Sequence, residues 1–138
     1  MPYAPLLFFA AIHGLIGVGM GAFAAHAMAG AAPSSLGWLD TGARYQLIHA
    51  GVMVAVSLCA PAGPLRWAGW AFALGAALFS GTLYAMAFGA PLWLGAVTPV
   101  GGFLLLGGWA LLGVQALTAT RGGGARARGS RSPLRCRG

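Results

Sequence analysis

Residues 6–29 read LLFFAAIHGLIGVGMGAFAAHAMA, a run without Asp, Glu, Lys or Arg in which only His13 and His26 interrupt the apolar character. A helix rises about 1.5 Å per residue and the hydrocarbon core of a bilayer is about 30 Å thick, so a run of this length predicts one membrane crossing. A cleaved signal peptide also opens with an apolar run, and Ala22-Phe23-Ala24 and Ala27-Met28-Ala29 offer small-residue cleavage sites. No Lys or Arg precedes Arg44, however, so the basic leader of such a peptide is missing and a retained span is expected.

Working outward, three further stretches resemble the first. One runs from about residue 45 to 60 and ends at Pro61 and Pro64, one from 67 to 88, and one from 92 to 118 with Pro99 near its start. Trp38, Tyr45, Trp67, Trp70 and Trp93 flank these stretches, where interfacial aromatics belong. At 138 residues the chain is one domain, and 59% hydrophobic against 7% charged residues with a mean hydropathy of +0.80 excludes a water-soluble core. The expected fold is an all-α membrane protein, a bundle of four transmembrane helices within residues 1–120, in a bacterial cytoplasmic (inner) membrane.

The charges orient it. All eight basic residues are arginine, and Arg121, Arg126, Arg128, Arg131, Arg135 and Arg137 fall in the final stretch 121–138. Arg66 lies between the second and third segments and Arg44 between the first and second. Counting arginines in short flanking loops places both termini in the cytoplasm and the segment from Gly30 to about Arg44 outside. The basic tail is expected to be disordered and to meet anionic lipid headgroups; no folded recognition module surrounds it, so nucleic acid is not an expected partner. The second segment is short, and were it not to cross, the orientation of the third and fourth would invert.

Under this topology the polar residues gather in the outer half of the bilayer: His26, Asp40, Arg44, Tyr45, Gln46, His49, Ser80, Thr82, Tyr84 and Thr98. Asp40 and Arg44 become an i,i+4 ion pair if the second helix starts early, which neutralises the one acid in the chain. Polar groups at membrane depth default to a functional hypothesis. They also serve as interhelical glue, at about 0.6 kcal/mol per hydrogen bond on average, and that is the favoured reading. The competing one has His26, His49 and Tyr45 binding a metal or relaying a proton. Two histidines without a free carboxylate make a poor ligand set, and no metal or cofactor is expected. His13 lies deeper, toward the cytoplasmic half, and is not expected to join the cluster.

Ser80-Gly81 lacks a nucleophile-elbow pattern and sits inside a helix, where Ser80 and Thr82 can bond their own helix's carbonyls. Gly17 and Gly21, Ala77 and Gly81, and Gly101-Gly102 with Gly107-Gly108 are spaced to let helices approach closely, inside the bundle or against another subunit. Cys59 and Cys136 show neither metal-site nor disulfide spacing and are expected to be free thiols, Cys59 as a packing residue.

Four ordered blocks carry a family resemblance: Gly21-Ala22-Phe23-Ala24-Ala25-His26; Thr41-Gly42 followed by Tyr45-Gln46 and His49; Leu78-Phe79-Ser80-Gly81-Thr82-Leu83-Tyr84; and Thr98-Pro99 with Gly101-Gly102 and Gly108-Trp109. Over roughly residues 6–118 the chain resembles the YgdD-like proteins, domain of unknown function 423, whose eukaryotic relatives carry the name transmembrane protein 256. The resemblance implies a four-helix inner-membrane protein and carries no reaction, substrate or cofactor. His26, Tyr45, Gln46, His49, Ser80, Tyr84 and Pro99 keep the family pattern. Ala25 stands where the family has Gly, and His13 and the Arg-rich tail are peculiar to this chain.

The function expected from all this is a non-enzymatic accessory or structural membrane component that binds a protein partner, lipid or a second copy of itself. The alternative is a small oligomeric transporter or channel element for a proton, metal ion or small solute, built on the His/Tyr cluster. An enzyme ranks last, because no carboxylate or metal triad is at hand.

Overall fold

The computed structural model describes residues 3–28, 30–59 and 63–129 of the chain. They form helices α1 (Ala4–His26), α2 (Pro33–Cys59), α3 (Leu65–Ala87) and α4 (Thr98–Gly129), with a short 3-10 helix, Leu92–Ala96, leading into α4; no strand occurs among the described residues. Three stretches, Ala4–His26, Leu65–Ala87 and Leu92–Thr118, are long and apolar enough to cross a membrane. Proline and glycine punctuate the chain as their backbone constraints require. Pro33 and Pro99 sit in first turns, where a missing N–H costs nothing. Gly89, at φ +92°, turns the chain out of α3 in a conformation that side chains with a Cβ rarely adopt.

The largest departure from the sequence reading is α2, expected from about residue 45 and observed from Pro33. Residues 33–44 were expected to be an external loop because Ser34, Ser35, Asp40, Thr41 and Arg44 dilute their hydropathy. Yet the buried positions Leu39, Gly42, Ala43, Gln46, His49, Ala50, Met53, Val56 and Ser57 keep a 3–4 spacing straight through that stretch, and an inward stripe of this period holds the helix together. The second correction concerns the tail. Residues 121–129, expected to be disordered, continue α4; Ala125, Ala127 and the arginines favour helix and no proline intervenes before Pro133, although Gly122, Gly123, Gly124 and Gly129 oppose it. Residues 130–138, with Arg131, Arg135, Cys136 and Arg137, lie outside the described residues. Cys59 closes α2 as a free, exposed thiol rather than a packing residue.

Successive helices pack against each other, α1 on α2, α2 on α3 and α3 on α4, with a thinner contact between α1 and α3; at the backbone level α4 touches α3 alone among the four helices. The helices therefore make a cluster of three, with α2 between α1 and α3 and the fourth docked on α3, rather than a closed ring. One core forms where Leu6, Met53, Phe72, Ala76 and Leu105 meet. At that end the Tyr3 N–H donates to the Ser57 carbonyl at 2.9 Å and the Arg66 guanidinium lies 4.9 Å over the Tyr3 ring, tying the start of α1 to α2 and α3. Outward faces are apolar: Leu15 is 77% exposed, Phe103 73% and Phe8 64%. Residues this greasy and this bare suit contact with lipid tails and not with water.

Candidate functional site

The inward polar side chains form three interlocks, each joining helices that the apolar core alone would leave free to slide. The first is centred on Gln46 of α2, which is 3% exposed. Its amide nitrogen donates to His13 Nδ1 of α1 at 3.0 Å, and its amide oxygen accepts from the Tyr84 hydroxyl of α3 at 2.7 Å. Beside this triad the fully buried Ser80 donates across the interface to the Gly42 carbonyl at 2.8 Å. Gly42 has to be glycine here, since a Cβ would stand 2.6 Å from the Tyr84 ring.

The second interlock is His49. Its Nδ1 lies 2.7 Å from the Tyr45 carbonyl one turn back, and its Nε2 accepts from the Trp109 indole N–H of α4 at 3.3 Å. These partners fix a neutral ring with the proton on Nδ1, because the indole can only donate. Phe72 and Trp109 pack around it, with ring centroids 5.4 Å apart. The third is a pair of hydroxyls, Thr82 of α3 and Thr98 of α4, at 2.8 Å; Thr82 also donates to its own helix at the Leu78 carbonyl, 2.9 Å away.

The residues singled out from sequence thus separate into groups. Gln46, Ser80 and Tyr84 come together, as do Tyr45 with His49, and Thr82 with Thr98. His26 stays apart: it is exposed at the end of α1, and the antiparallel register of α1 on α2, in which His13 meets Gln46, puts it roughly four helical turns from His49. Among the described residues no group of three His, Cys, Asp or Glu side chains could hold a metal ion. His13, expected to stand alone, is instead a full member of the first interlock. The register of α1 against the early-starting α2 brings it there, and the only signal in the sequence was its polarity inside an apolar span. Ser80 reaches across to α2 instead of bonding its own helix. Trp109, which the sequence marked as part of a family block, supplies the indole N–H that completes His49.

The glycines sort themselves by what a Cβ would strike. Gly17 would meet Leu47 at 2.8 Å and Gly101 would meet the Phe79 backbone nitrogen at 2.5 Å, so both set helix spacing. Gly21 and Gly102 have only ordinary contacts at 3.7 and 3.9 Å, and Gly81 meets nothing within 4 Å, so it is not a packing glycine. Gly42, Gly69 and Gly75, which carry close approaches too, were not singled out from their spacing.

Comparison with known proteins fits this picture. A family model described as a protein of unknown function (DUF423) matches residues 20–102. The chain belongs to the DUF423 family. Among its relatives, the UPF0382 inner membrane protein YgdD of Escherichia coli K12 is 38% identical over 86% of this chain and 93% of its own. A UPF0382 membrane protein of Haemophilus influenzae is 40% identical over 70% and 80%, and YwdK of Bacillus subtilis 36% over 78% and 91%. No solved structure matches. In keeping with the names of these relatives, of which YgdD's gives the inner membrane, the chain is a multi-pass inner-membrane protein. The DUF423 match takes in Gly42, Gln46, Ser80, Tyr84, Thr98 and Gly101, whereas His13 and Trp109, each the outer partner of an interlock, fall beyond it.

Asp40 and Arg44 do pair, at 2.6 Å and four residues apart, but both are nearly two-thirds exposed on the outside of α2 and touch none of the interlocks. Asp40→Asn is therefore expected to change unfolding stability by less than about 0.5 kcal/mol, as exposed pairs usually do. A denaturant titration in mild detergent showing a larger loss would mean that the pair supports more than itself.

Proposed function

We propose that this chain is a four-span, non-catalytic inner-membrane component, with both termini cytoplasmic, that works by assembling with a protein partner or lipid through its outward apolar faces. The observation that carries this reading is that, among the described residues, no buried side-chain nitrogen or oxygen lacks a hydrogen-bond partner. Groups that do acid–base chemistry need a free lone pair or proton; here His49, Ser80 and Tyr84 spend theirs on fixed protein partners.

Support for α2 as a fourth span comes from its geometry. Its 27 residues reach about 40 Å, and it turns Gln46 and His49 inward while Ile48, Val54 and Leu58 face out. The arginine count then favours cytoplasmic termini. A transport element built on His26, His49 and Tyr45 has less to stand on, since both nitrogens of His49 are engaged and His26 is remote.

The test is purification of the tagged chain from its native membrane in mild detergent, with mass spectrometry of whatever stays bound. A polypeptide or lipid retained in fixed stoichiometry, and retained equally by Asp40→Asn, is the expected result. A monodisperse chain carrying neither would overturn the reading.

A further inference from the structure

Between α1 and α3 lies a groove of about 400 Å³, floored by Gln46 and walled by Phe9, His13, Trp70, Gly81 and Tyr84. Its volume falls in the range of roughly 300–1,000 Å³ typical of small-molecule sites. It exists because α1 and α3 meet only thinly, and because Ala77 and Gly81, small residues on α3, leave it unfilled. Phe9, Ile16 and Leu74 on its rim are exposed, so it opens sideways into whatever surrounds the helices.

The groove carries one spare donor. A glutamine amide has two N–H groups, and the contact with His13 uses one. The second, on a side chain 97% buried, makes no other hydrogen bond among the described residues, and Gln46 lines the groove. No charged residue lines the groove, so an ionised ligand would find nothing to neutralise it.

Depth then selects the ligand. His13 lies within about 3 Å of the midpoint of α1, and Gln46 is the central residue of α2. The donor therefore sits near the middle of the membrane, where a phospholipid cannot bring its ester carbonyls, because its headgroup holds them at the interface. A molecule that can is uncharged, lipid-soluble and planar, with a ring carbonyl to accept the N–H and a face to lie on Trp70, whose ring Phe9 meets at 66°. We propose that the α1–α3 groove is a lateral binding site for a lipid-soluble quinone, whose ring carbonyl accepts the free N–H of Gln46. This goes beyond the accessory role argued above and rests only on the reading of α1 and α2 as membrane spans.

The test uses the full chain in phosphatidylcholine nanodiscs with a decyl-substituted benzoquinone as probe, read by quenching of tryptophan fluorescence. Two reporters are made, one keeping only Trp70 and one keeping only Trp109, the other tryptophans being replaced by phenylalanine. Expected is saturable quenching of the Trp70 reporter and merely linear, collisional quenching of the Trp109 reporter. Gly81→Leu fills the groove without touching the hydrogen bonds, and its Cβ meets no obstacle; it is expected to weaken the saturable phase by about tenfold or more, a loss of at least about 1.4 kcal/mol. Gln46→Leu should do the same, and if it fails to fold Gly81→Leu decides alone. Linear quenching of both reporters, saturation indifferent to Gly81→Leu, or a co-purified phospholipid that the probe cannot displace would each overturn the proposal.

Discussion

Gln46→Leu is expected to lower the stability of the folded chain by about 2–4 kcal/mol, the largest loss from any change that leaves backbone spacing intact. A single hydrogen bond between membrane helices averages about 0.6 kcal/mol, so two such bonds by themselves give too little. The greater cost is what remains. Leucine strips partners from both the Tyr84 hydroxyl and His13 Nδ1, which are nine-tenths or more buried, and each stranded group costs about 1–3 kcal/mol. The double variant Gln46→Leu/Tyr84→Phe should recover part of the loss, because it removes one stranded group. Unfolding by SDS titration in mixed micelles measures both; a loss under about 0.5 kcal/mol for Gln46→Leu would show that the triad does not hold the three helices together.

Gly101→Leu is expected to be worse, because nothing soft can give way. Even a Cβ at this position would come within 2.9 Å of the Gly75 carbonyl and the Phe79 Cα, and closer still to the Phe79 nitrogen, all of them backbone. Helices α3 and α4 would have to separate, and since α4 has no other backbone-level neighbour among the helices, separation releases it. Overpacking commonly costs about 1–3 kcal/mol and more where backbone resists, so Gly101→Leu should fall at or beyond the top of that range. Its signature is specific: Trp109 leaves His49 and Phe72, shifting its emission, and the Thr82–Thr98 contact opens. Gly81→Ala is the counter-case, expected to be neutral or to stabilise by up to about 1 kcal/mol through helix propensity. Equal behaviour of the two variants would mean that the α3–α4 approach is not set by Gly101.

Both residues stood out in the sequence, but for reasons that only partly survive. Gln46 was noted for being polar inside an apolar segment, and that signal was sound, because burying an amide among lipids demands partners. Which partners it takes was not legible. Tyr84 is 38 residues away and His13 is 33, and no local spacing connects them. The early start of α2 was readable from its 3–4 stripe and was hidden by hydropathy, which averages the two faces of a helix and so penalises one whose polar face is turned inward. Glycine spacing was the weakest guide: Gly17 and Gly101 are close-approach sites, while Gly81, in the same kind of pattern, borders open space. A small-xxx-small pattern says that a helix can be approached and is silent on whether anything approaches it.

The order in which the interlocks can close has a consequence for how the protein is made. A ribosome delivers α1 and α2 first, and at that stage Gln46 can satisfy His13 but its carbonyl oxygen has no partner until Tyr84 has been synthesised. His49 waits longer still, for Trp109. A nascent chain halted between residues 59 and 84 therefore holds a half-paired amide, its N–H on His13 and its oxygen still without Tyr84. The bond by which Tyr84 completes the first interlock is thus also a clock: it can close only once α3 has been made.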